Sequence, residues 1–76
     1  MIRHVITQEQ RKKMDALVNR MPYMPKTDGQ RRLFRRWGTP KQFARGVVSA
    51  SLGVLSVEEA KSMILKYRDE WNSALH

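Results

Sequence analysis

Cysteine is absent from this 76-residue chain. No disulfide can brace the fold, which fits a reducing compartment. Histidine is scarce: His4 and His76 stand at opposite ends, neither with a second histidine or a carboxylate at ligand spacing. No metal site is therefore expected, and no cofactor. No apolar run approaches the ~20 residues that cross a bilayer. Residues 1–7 lack the apolar stretch of a signal peptide. The expectation is a soluble cytoplasmic protein with no membrane partner. Glycine-rich phosphate loops and nucleophile–base pairs are missing as well, so no small-molecule substrate is expected. Glu58-Glu59 and Asp69-Glu70 are adjacent acids, but neighbours on a helix point about 100° apart and cannot share one substrate. The chain reads as non-catalytic.

Acidic residues are also few, and their shortage is local. The chain carries 15 Lys and Arg against 7 Asp and Glu, a formal charge of +8. From Arg11 to Arg45 the balance is +9, with Asp15 and Asp28 the only acids. From Val57 onward it is −1. A clustered excess of one sign points to a polyanionic partner.

Four segments share the pattern Ser/Thr-x-x-Glu/Gln: Thr7 to Gln10, Thr27 to Gln30, Thr39 to Gln42 and Ser56 to Glu59. In a capping box the hydroxyl accepts from the N3 amide, and the N3 side chain accepts from the cap amide. Four such starts predict an all-α chain, a compact single-domain bundle of four short helices over about 8–20, 28–37, 40–51 and 57–74. Pro40 suits the first position of the third helix. Pro22 and Pro25 make 22–26 an extended connector. Gly38 is placed to end the second helix in a left-handed conformation. Residues 1–6 and 75–76 are expected to fray.

The last helix has the clearest periodicity: Val57, Ala60, Ile64, Tyr67, Trp71 and Leu75 recur at 3–4 residue spacing, with Met63 alongside. Leu65 falls off that face. The expected core is Met14, Leu17, Met21, Leu33, Phe34, Trp37, Phe43, Val47, Ile64, Tyr67 and Trp71, with Leu52 and Val54-Leu55 plugging the turn before the last helix. Gly46 lies where a close helix crossing would need it.

The segment Gln30 to Trp37 holds the most chemistry. On a helical wheel Leu33, Phe34 and Trp37 share one face, and Arg31, Arg32, Arg35 and Arg36 cover the other. Like charges one turn apart repel, and a solvated face normally mixes signs. Four arginines without an acid between Gly29 and Pro40 suggest phosphate binding, since a guanidinium fork meets two phosphate oxygens. Lys41, Arg45 and Ser49 recur at i, i+4 and i+8 on the next helix as a second polar stripe. Lys26, Lys12, Lys13 and Arg20 are peripheral candidates. Tyr23 is placed to stack on an unpaired base or to cover one end of the core. Gln30, Gln42 and Ser49 are the polar side chains positioned to read bases.

Trp37-Gly38-Thr39-Pro40-Lys41-Gln42-Phe43-Ala44 resembles the opening of the helix-turn-helix in small phage repressors of the Cro type. The resemblance covers about eight residues and implies a DNA-reading helix further on. It departs at Val48, which stands where the turn glycine belongs.

The expected function is that of a small nucleic-acid-binding regulator of bacterial or phage style. DNA is favoured over RNA, and a homodimer is open. Phosphate contacts would come from Arg31, Arg32, Arg35, Arg36, Lys41, Arg45 and Lys26, with Ser49 beside them. The alternative is a modulator that docks the same basic face on an acidic surface of a nucleic-acid-processing protein. That role would need an apolar anchor in solvent, for which Tyr23, Met24 and Leu65 are the candidates.

Overall fold

Three of the four capping motifs close as reciprocal pairs. The computed structural model describes residues 3–75 and contains α1 (Gln8–Asn19), α2 (Asp28–Trp37), α3 (Pro40–Ser51) and α4 (Val57–Ser73). Thr7 with Gln10, Thr39 with Gln42 and Ser56 with Glu59 each form both hydrogen bonds of the box. The all-α expectation holds, and the helix bounds fall within a residue of those read from sequence. No strand occurs among the described residues; Leu52 and Leu55 form only an isolated bridge.

The fourth motif is half-made. Thr27 Oγ1 accepts from the Gln30 amide at 3.1 Å, but Gln30 does not return to Thr27. Its Oε1 accepts instead from the Lys26 amide at 2.8 Å, and its Nε2 donates to the Trp71 carbonyl at 3.2 Å. Gln30 is 5% exposed. It occupies the inward face of α2, between Phe34 and Trp37 on the wheel, and is spent on holding that helix to α4.

The core lies among α1, α3 and α4. Met14, Val18, Met21, Ala44, Val47, Val48, Ala60 and Ile64 form one buried cluster, with Leu17, Phe43, Leu52, Val57 and Leu65 packed against it. Helices α3 and α4 make the broadest contact, and α1 packs on both. Ala44 and Ala60 have no exposed surface, which lets the backbones approach closely. Tyr67 and Trp71 extend the buried face of α4 toward its C-terminus. Phe43 and Tyr67 are tilted rings 4.8 Å apart, and Tyr67 meets Trp71 edge-on at 6.4 Å.

Two of the expected core residues are displaced to the surface. Phe34 is 42% exposed and Trp37 57%, and Leu33 is half-buried. Helix α2 touches α4 and little else. Its rungs on α4 pair Thr27 with the Ala74 carbonyl, Gln30 with that of Trp71, and the Leu33 carbonyl with the Tyr67 hydroxyl. The order shows that α2 runs antiparallel to the C-terminal half of α4. The chain turns away at Gly38, and Trp37 stays more than half exposed beside Phe43, Met63 and Tyr67.

Smaller corrections follow the same logic. Gly46 is exposed, and a Cβ built there would meet nothing within 4 Å, so no helix crosses it. Val54 is exposed while Leu52 and Leu55 are half-buried, so the turn plugs the core with its leucines alone. Leu65 packs on the core edge. Part of the N-terminus expected to fray is tied down: the His4 amide donates to the Gly53 carbonyl at 2.7 Å. Met1, Ile2 and His76 lie outside the described residues.

Candidate nucleic-acid interface

Helix α2 ends at Gly38, whose φ of 85° suits glycine because a side chain would strain there. The Gly38 amide donates to the Phe34 carbonyl at 2.9 Å, and its own carbonyl accepts from the Tyr67 hydroxyl at 2.6 Å. The phenol also points at the Leu33 carbonyl, 3.3 Å away. Burial first, and the Glu70 carboxylate second, raise the Tyr67 pKa. The tyrosine therefore stays a neutral donor, and it fixes the angle at which α2 presents its arginines.

The four arginines of the rail are not equivalent. All are exposed. Arg31 is bound to Asp28, Nη1 to Oδ1 at 2.7 Å, which offsets its charge within the chain. Arg32, Arg35 and Arg36 have no carboxylate within 4 Å among the described residues. Arg32 and Arg36 line a shallow cleft of about 340 Å³ against Glu70, Ser73 and Ala74. Arg36 also borders the adjoining recess, about 580 Å³, with Trp37, Phe43, Met63, Lys66, Tyr67 and Glu70. Lys66, which in sequence belongs to a mixed helix surface, thus joins the rail in space.

The second stripe faces other clefts. Lys41 and Arg45 line a polar cleft of about 300 Å³ with Tyr23, Thr39 and Gln42. Lys41 Nζ stands 5.3 Å from the centroid of the Tyr23 ring, within cation–π range. Tyr23 is 66% exposed, so it does not cover the core. Arg45 and Ser49 border a further cleft with Arg11 and Asp15. These clefts share no residue with those of α2. The candidate residues thus fall into two groups, and Lys26 sits at the α2 entrance, its amide donating to Gln30.

The base-reading candidates are mostly committed elsewhere. Gln30 is buried, and Gln42 Oε1 accepts from the Thr39 amide at 3.1 Å. Ser49 is exposed and donates to the Gly46 carbonyl at 3.4 Å. Helix α3 continues unbroken past Val48, which is buried, so no helix-turn-helix bend forms there.

Phe34 and Trp37 are the site residues that periodicity concealed. Both sit on the apolar arc of α2, which periodicity reads as core because it does not show how closely the partner helix packs along that arc. Among the described residues no three His, Cys, Asp or Glu side chains converge at metal-binding distance, and no helix is long and apolar enough to cross a membrane. No protein family profile matches the chain significantly, nor does any curated protein or solved structure.

Proposed function

We propose that this protein is a non-catalytic nucleic-acid-binding protein that grips phosphates with the exposed face of α2. The observation that carries this reading is the set of three solvent-facing arginines, Arg32, Arg35 and Arg36, without a carboxylate partner within 4 Å among the described residues. Lys66 adds a fourth cation beside Arg36. Arg31 differs from its neighbours in having an exposed carboxylate, Asp28, beside it. Lys41 and Arg45 provide a second patch on another cleft, which suits a strand or duplex that bends around the molecule or a second contact point. Sequence preference is modest on this reading, since Gln30 is buried against α4 and the Gln42 carbonyl oxygen is engaged in the α3 cap. The role is regulatory or architectural.

A second reading has its own observation. Trp37, Phe34 and Met63 are large apolar side chains in solvent beside arginines. Trp and Arg dominate the energetic centres of protein interfaces, so the same face suits docking on an acidic protein. A titration at physiological salt separates the two. Binding of DNA or RNA tighter than ~10⁻⁶ M supports nucleic acid as the partner. Only the ~10⁻⁴ to 10⁻⁶ M of any cationic surface, together with a stoichiometric complex with an acidic protein, supports the modulator.

A further inference from the structure

We infer that the nucleic acid bound by α2 is single-stranded and that its bases stack on Trp37 and Phe34. This inference rests on the nucleic-acid reading above and names the form of the ligand. Trp37 and Phe34 are three residues apart on one helix, so their Cβ atoms lie about 5–6 Å apart. Both are substantially exposed although both are strongly apolar. Within a duplex each base is already stacked on its neighbours at ~3.4 Å and presents no free face to a surface ring. An unpaired strand has free faces, and its spacing stretches to match one helical turn.

The surroundings of Trp37 divide by chemistry. The recess is lined by Arg36 and Lys66, which suit a phosphate, and by the apolar side chains of Phe43 and Met63. Glu70 is the one acid bordering the recess. Its carboxylate accepts hydrogen bonds and so suits the amino edge of a base, and it also borders the neighbouring cleft with Arg32 and Arg36. A recess of about 580 Å³ falls in the range that accepts a small ligand such as one nucleotide. Arg35 and Arg36 stand between Phe34 and Trp37 in sequence, each about 100° round the helix from its neighbouring ring, so they flank the aromatic arc, while Arg32 lies on the opposite face. Interleaved aromatics and cations of this kind are how single strands are held without sequence readout.

The test uses the full chain with a mixed-sequence single-stranded DNA, the matching single-stranded RNA and a blunt DNA hairpin of equal phosphate count. Binding is read by anisotropy and by tryptophan emission, with Trp71 buried and Trp37 the ring in reach of ligand. The single strands should bind more tightly than the hairpin and quench the emission. Trp37→Ala should weaken single-strand binding by roughly 5- to 150-fold, the effect of removing one stacking ring, with hairpin affinity and the helical circular dichroism signal retained. Phe34→Ala should weaken it in the same direction while leaving the quenching in place. A hairpin that binds as well as the strands, or single-strand affinity unmoved by Trp37→Ala, overturns the stacking inference while leaving nucleic-acid binding intact. Failure of all three ligands to bind overturns the reading beneath it.

Discussion

Helices α2 and α4 lie side by side, and each carries a tryptophan on its apolar arc. Trp71 is 1% exposed and Trp37 57%. The two helices are held by different forces. Helix α4 buries Ala60, Ile64, Tyr67 and Trp71 and packs on both α3 and α1, so hydrophobic burial fixes it. Helix α2 buries only Gln30 among its ten residues and is attached to α4 by directed hydrogen bonds. Burial is non-directional and tolerates repacking, whereas a ladder of hydrogen bonds sets one register. The difference fits a division of labour in which three helices supply stability and α2 keeps its aromatics and arginines available in solvent.

Substitution at the two tryptophans tests this contrast with the largest effect. Trp71→Ala should cost on the order of 3–5 kcal/mol, the usual range for emptying an aromatic core site, and so small a domain has little stability to spare. Trp37→Ala should stay within about 0.5 kcal/mol of the parent, as expected for a surface position. Chemical denaturation measures both. Equal losses would mean that α2 shares the core after all.

Sequence made α4 legible because its apolar period runs for four turns and its start is marked by a complete capping box. The bounds of α2 were equally legible, from Thr27 and from Gly38. Its burial was not. Periodicity identifies which side chains share a face but not how closely the opposing helix packs along it, so Phe34 and Trp37 read as core. The wheel did hold a warning: Gln30 falls between them, and a glutamine at the centre of an apolar arc signals a hydrogen-bonded contact in place of an oily one. The arginines were legible as a cluster, but the Arg31–Asp28 pair and the approach of Lys66 depend on distances that sequence does not contain.

Loosening the ladder should have a smaller effect, confined to α2. Gln30→Ala leaves the Lys26 amide without its partner and should cost about 1–3 kcal/mol. Tyr67→Phe removes the donor to Gly38 and Leu33 and should cost about 0.5–1.5 kcal/mol. Hydrogen exchange should quicken in α2 far more than in α3. The tyrosine also has a pH signature. Its folded pKa is raised, so the neutral phenol's contribution is fully present below the ordinary value of about 10 and is lost as pH rises through the folded value. Tyr67→Phe should flatten that alkaline loss. An unchanged alkaline limb, or uniform exchange across all helices, would show that the ladder is not what holds α2.

The rail itself should contribute nothing to stability, which makes it the sharpest probe of the division of labour. Arg32, Arg35 and Arg36 changed together to Gln keep Gln30, Leu33, Phe34 and Trp37 in place. The decisive measurement is the salt dependence of single-strand binding by this triple variant and by the parent, with melting temperature followed in parallel. The expected result is an unchanged melting temperature and strongly weakened binding. The plot of log affinity against log salt should flatten by about 0.7 for each phosphate that the variant no longer neutralises. A variant that binds with the parent's affinity and the parent's salt slope would contradict the assignment of α2 as the phosphate-gripping face.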